Sequence, residues 1–274
     1  MGRRHPLTIQ IVSFNQSFTI STATKSQQVT ELFTTMSKPR PGVAAAKRLS
    51  KCTDPKVWGL VESQYSEIVP HVKGLKDTQR EYKKIGRLLS NENMKSVITK
   101  EELLSVVSWK FSVGKPRHAL MKHLKSNTEA SVREHSTAGI AEARGAAKSK
   151  TEETKKALGH FINLKGVGPA TASAVLTLVQ PDKFAYMYDE VINCFLPERT
   201  YTLPTYMAVN ENCLSIAKKL GDGWTTSRVA TVLWTAARVN AYDLHDHTLS
   251  KRPMVNSADE TIIEKRRISK RRKC

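Results

Sequence analysis

Two apolar helical stretches flank the bend Leu164-Lys165-Gly166-Val167-Gly168-Pro169, and no other feature limits the possible folds of this 274-residue chain as tightly. Before the bend, Thr151 can cap a helix, with Glu152 and Glu153 in its first turn near the positive end of the dipole. Ala157, Leu158, Phe161 and Ile162 form its apolar stripe. After the bend, Ala172, Val175, Leu176 and Val179 recur at i, i+3, i+4 and i+7. Pro169 suits a first turn, where its missing N–H has no intrahelical partner to lose. The spacing predicts a helical hairpin over 155–179. Two glycines one residue apart allow a turn that other residues would strain, and they leave the backbone unshielded. Such a turn delivers main-chain N–H groups at a helix start, which is an anion site. Gly166, Gly168, Ala170 and Thr171 are therefore candidates for gripping a phosphate without reading a base, with Lys165 adding a cation and Val167 pinning the bend to the core. The alternative is a tight connection between two helices and nothing more.

The rest of the central region also reads as helices. Asp54 is a fitting N-cap with Pro55 at the first helical position, and Val57, Leu60 and Val61 follow at helical spacing. A helix is expected over 77–90, and Thr99-Lys100-Glu101-Glu102 is a capping box that opens another. Gly114 ends that helix and Pro116 starts the next. Residues 137–150, rich in Ala, Gly and Lys, read as a weak helix or a linker. Pro204 to Lys219 looks helical and stops at Gly221, and Thr225 or Thr226 can cap a last helix. Strand signals are sparse, so the expected class is all-α. The helical domain is expected over 51–248, with a disordered or leader segment at 1–50 and a basic tail at 249–274.

Charge narrows the partners. Forty-four Lys and Arg against 25 Asp and Glu give +19, an excess that points to polyanions. Residues 1–50 and 251–274 each carry +6, which leaves only +7 on the central 200 residues. The tail clusters Lys251-Arg252, Lys265-Arg266-Arg267 and Lys270-Arg271-Arg272-Lys273 resemble a bipartite nuclear-import signal, which makes the import machinery an expected partner. The alternative address is the mitochondrion, because the first 35 residues are Ser/Thr-rich with one acid. No stretch approaches eighteen apolar residues, so a membrane span is not expected. Four cysteines spaced by 142, 19 and 61 residues contain no CxxC, so neither a metal site nor a cofactor is readable.

Within the central region, Trp109-Lys110-Phe111-Ser112-Val113-Gly114-Lys115-Pro116-Arg117 interleaves two aromatics with three basic residues. Lys110, Lys115 and Arg117 are candidate DNA contacts with ring faces beside them. The alternative is a core Trp and Phe beside a solvated basic loop. Arg228 and Arg238 read as solvated surface, with a DNA-facing role the alternative, and Trp224 and Trp234 as packing residues.

The bend with its flanking helices resembles the helix-hairpin-helix motif of DNA-binding proteins, and the likeness extends to the helix-hairpin-helix DNA glycosylase superfamily (HhH-GPD). There an aspartate follows the hairpin by some twenty residues at the start of a further helix. Here Asp189 lies 21 residues beyond Gly168, ahead of Val191, Ile192, Phe195 and Leu196. The Trp109-Lys110 to Arg117 segment and the Asp189-Glu190 pair look like a eukaryotic branch of that superfamily. The resemblance covers roughly 95–245. It implies a two-lobed helical fold that binds DNA, flips a nucleotide into a cleft and cuts the bond between base and deoxyribose. Asp189 is then the catalytic carboxylate facing the sugar, with a plain N-cap as the alternative. Lyase-competent relatives carry a lysine just after the hairpin glycines. This chain has Ala170 and Thr171 there, so the resemblance implies a monofunctional glycosylase without lyase activity. The alternative function is a nuclear DNA-binding module that kept the fold without the chemistry, and RNA binding through the same hairpin is a third reading.

Overall fold

The computed structural model describes residues 42–91, 93–145 and 151–239. The leader up to residue 41 and the basic tail lie outside them. Among the described residues the structure is all-helical, with no strand. Its helices are α1 (Val43–Leu49), α2 (Pro55–Ser63), α3 (Tyr65–Ile68) with a 3-10 turn at Val69–His71, α4 (Leu75–Leu89), α5 (Lys100–Val113) and α6 (His118–Lys125). They continue as α7 (Glu129–Gly145), α8 (Thr151–Ile162), α9 (Pro169–Val179), α10 (Asp189–Phe195), α11 (Leu203–Leu220) and α12 (Thr226–Val239).

The caps act as the residue types dictate. Asp54 Oδ1 accepts from the Lys56 amide at 2.9 Å, and Thr99 and Glu102 close their reciprocal box at 3.2 and 2.8 Å. Thr225 Oγ1, rather than Thr226, accepts from the amide of Arg228 at 3.0 Å. The folded part begins before residue 51. Ala45, Ala46 and Leu49 of α1 are fully buried, so residues 43–49 belong to the core and not to a leader. Gly42 has φ +81, and a Cβ there would collide with the Ala237 carbonyl of α12. Residues 137–145, weakly helical in sequence, are the second half of α7, and 146–150 lie outside the described residues.

Helix α9 is the axle of the fold. Every residue from Ala170 to Thr177 is buried, and the helix packs against α4, α5, α7, α8 and α11. Its small side chains let neighbours come close, and the Tyr82 hydroxyl of α4 donates to the Ala174 carbonyl at 2.7 Å. On the other side α12 packs against α1, α2, α3 and α11, and α10 sits among α1, α11 and α12. The carbonyl of Val113, the last residue of α5, joins the two sides. It accepts from Trp234 Nε1 at 3.3 Å and from Arg238 at 3.2 Å. Trp109 is core, stacked on Tyr82 with ring centroids 3.7 Å apart and planes 5° apart, and tilted against Tyr186.

Candidate functional site

The bend between α8 and α9 is held by shape and by one amide side chain. Gly166 has φ +76, and a Cβ there would stand 3.1 Å from the Leu120 carbonyl, the Leu124 amide and His123 Cβ of α6. A left-handed backbone and so close an approach leave room only for glycine. Asn127, 7% exposed, accepts from the Lys165 N–H and donates to the Lys165 carbonyl, each at 2.9 Å. Val167 is buried in the core as its position between the glycines predicts. Gly168 is extended, and nothing lies within 4 Å of where its Cβ would be, so the outer side of the bend is open. The carbonyl of Gly168 accepts from the amides of Thr171 and Ala172. The amides of Gly166, Gly168 and Ala170 donate to no acceptor among the described residues. The Lys165 side chain is exposed and points away from the cavity that the other bend residues line.

That cavity, about 310 Å³, has the run from Gly166 to Thr171 as one wall. Lys110 and Phe111 of α5, with Gly114, Lys115 and Arg117 of the following loop, form a second. Tyr186, Met187, Asp189 and Tyr201 form a third. Trp109, next to Lys110 in sequence, turns into the core instead, so the expected alternation of ring faces and cations on one surface reduces to Phe111 beside Lys110, Lys115 and Arg117.

Asp189 is placed by the non-helical run that leads to it. Asn210 Oδ1 accepts from the Ala185 amide at 2.7 Å and its Nδ2 donates to the Lys183 carbonyl at 3.0 Å, while Ser173 Oγ accepts from the Met187 amide at 3.3 Å. Tyr188 is the N-cap of α10, so Asp189 is the first helical residue and its carboxylate does no capping. Instead Tyr201 donates its hydroxyl to Asp189 Oδ1 at 2.7 Å, and Arg199 Nη1 reaches Oδ2 at 3.4 Å. Burial and this hydrogen bond push the Tyr201 phenol up to about 12, which keeps it a donor. The Arg117 guanidinium lies 4.4 Å from the centre of the Tyr201 ring.

Lys110 Nζ donates to Thr171 Oγ1 at 2.9 Å, and Thr171 is only 1% exposed. Burial lowers the Lys110 ammonium to about 8, the Arg117 charge lowers it further, and Asp189 opposes them. The sequence has no lysine just after the glycines, yet the fold brings an amine to that place from α5.

Arg228 and Arg238 are neither solvated surface nor DNA-facing cations. Arg228 grips Glu62 through Nε at 2.7 Å and Nη2 at 2.6 Å, over the face of Trp224. Arg238 donates to Glu190 Oε1 from Nε and Nη2 at 2.9 and 2.6 Å. Burial pushes the Glu190 carboxyl up, with Arg238 as the main opposing influence. Asn127, Tyr201 and Arg199 were not legible as site residues: each is a common residue type in a loop, without a local pattern. Among the described residues no cluster of His, Cys, Asp or Glu is arranged to hold a metal ion, and no helix is long and apolar enough to cross a membrane. No protein-family model matches the chain, nor does any curated protein or solved structure.

Proposed function

We propose that the protein binds DNA through the outer face of the 164–170 bend and releases a flipped base with Asp189 as the catalytic carboxylate. The carrying observation is that Asp189 lies in the same cavity as the open amides of Gly168 and Ala170 and the cations Lys110, Lys115 and Arg117. The amides and cations suit a phosphate on each side of an extruded nucleotide. The cavity, walled by α5 and the bend on one side and by the start of α10 on the other, supports the two-lobed reading of the fold. Breaking the base–sugar bond develops positive charge on the sugar, and a fixed carboxylate stabilises that charge and orients the attacking water. Tyr201 and Arg199 hold the carboxylate in one orientation, so little reorganisation is needed when the charge appears. The nucleotide must leave the stack to reach it. The test is a base-release screen on duplexes carrying different lesions, run beside Asp189→Asn. Release by the native chain and loss in the variant support the reading; no release from any lesion by the native chain sinks it.

A specific observation favours the binding module as second reading. Both oxygens of Asp189 are already engaged, which is also how a purely structural carboxylate would look. A module binds duplex with a steep salt dependence and never releases a base. Competition between RNA and DNA of equal length checks the third reading, and nuclear import through the basic tail is tested by tail deletion and imaging.

A further inference from the structure

Lysine side chains rarely leave water without an acidic partner, because the charge is costly to desolvate. Lys110 does so in the middle of the cavity. Its Nζ is held by the hydroxyl of Thr171, and no carboxylate pairs with it directly among the described residues. The groups that face it are the cations Arg117 and Lys115, the carboxylate of Asp189 and the phenols of Tyr186 and Tyr201. A hydroxyl acceptor fixes the direction of the amine without protonating it as a carboxylate would. A cavity lined by a desolvated amine, a carboxylate and phosphate-seeking amides suits an aldehyde carried on a phosphodiester strand.

We propose that Lys110 is a nucleophilic amine that condenses with the C1′ aldehyde of a ring-opened abasic deoxyribose in DNA, giving the protein an abasic-site lyase activity. The substrate class rests on the proposed function, because it is the product that base release leaves behind. Nζ of the neutral amine attacks C1′, forming a C–N bond. The carbinolamine loses water to give an iminium ion, which acidifies C2′. The C2′ proton passes to the Asp189 carboxylate, the electron pair forms the C2′–C3′ double bond, and the C3′–O bond breaks with the 3′ phosphate leaving. Water then hydrolyses the iminium and returns the free amine together with an unsaturated aldehyde. With its ammonium at about 8, roughly a tenth of Lys110 is neutral at pH 7, roughly 300-fold more than for an ordinary lysine. Such lowered lysines are the ones that form Schiff bases.

The test uses the full chain and a duplex that already contains an abasic site, with sodium borohydride to reduce the iminium to a stable amine. The expected result is a covalent protein–DNA adduct whose peptide maps to Lys110 by mass spectrometry. Adduct yield should fall at least tenfold in Lys110→Arg and Lys110→Met, and the rate of trapping should rise with pH to a midpoint near 8. An adduct mapped to any other residue, equal trapping by folded variants, or no adduct with the native chain overturns the proposal. The mapping on native protein decides the matter even where a variant fails to fold. Because the abasic site is supplied, trapping without base release would sink only the glycosylase reading, and base release without trapping would sink only this one.

Discussion

Two groups of basic residues lie on either side of α10 and behave in opposite ways. Arg228 and Arg238 of α12 are held by Glu62 and Glu190 and covered by Trp224 and Trp234. Lys110, Lys115 and Arg117 line the cavity, and none is in a salt bridge among the described residues. The first group is spent on folding; the second keeps its charge available. Counting arginines in the sequence cannot separate them, because the pairing acids lie far away in the chain. Glu62 is 166 residues from Arg228 and Glu190 is 48 from Arg238. Charge excess indicates a polyanionic partner only after such internal pairs are subtracted.

The comparison can be broken in four places. The largest effect belongs to Asp189→Asn, which keeps the shape of the side chain and removes its charge. Base release should fall by about 10²–10³-fold, the usual cost of one preorganised electrostatic contact, while duplex affinity stays level or rises. Single-turnover kinetics and a binding titration check both halves. Next is Arg238→Met, which strands the Glu190 carboxylate in a mostly dry place. Urea unfolding should register a loss of about 3 kcal/mol, at the low end for breaking a buried pair, and adding Glu190→Gln should recover part of it. The salt dependence of DNA binding should not change. A stable Arg238→Met protein with weakened binding would place Arg238 in the DNA-facing group after all.

Smaller effects separate the two glycines. Gly166→Ala should cost about 2 kcal/mol in the same urea experiment, because the backbone is left-handed and α6 is already in contact. Gly168→Ala should leave stability within about 0.5 kcal/mol, as its new methyl meets open space, and should weaken DNA binding by keeping the phosphate off the amides. The mildest variant is Lys115→Ala. Stability should stay within about 0.5 kcal/mol, and the slope of log affinity against log salt should shrink by about one. An unchanged slope would remove Lys115 from the interface.

Much of the helical framework could be read locally. The caps at Asp54 and Thr99, the proline at 169, the stop at Gly221 and the apolar stripes of α8 and α9 each depend on residues within one or two turns. So does the buried Val167 between two glycines. The site needed what no window contains. Lys110 meets Thr171 across 61 residues, Asn127 clamps Lys165 across 38, and Tyr201 orients Asp189 across a loop without periodicity. The early boundary was missed for a related reason. Val43-Ala44-Ala45-Ala46 has too little apolar bulk to announce a core helix, and its burial depends on Gly42 lying against Ala237. The α12 arginines were misread because their sequence neighbours include no acid to suggest a partner.

Trp109 and Lys110 are consecutive on α5, one wedged flat on Tyr82 and the other hooked to Thr171. A helix carries successive side chains about 100° apart, so the aromatic sandwich acts as the bearing that sets where the amine can swing. Trimming Tyr82 would leave every group that touches DNA intact and still detune the reactive nitrogen. A genetic screen would score that change as a lost enzyme, although the damage is mechanical and lies behind the wall.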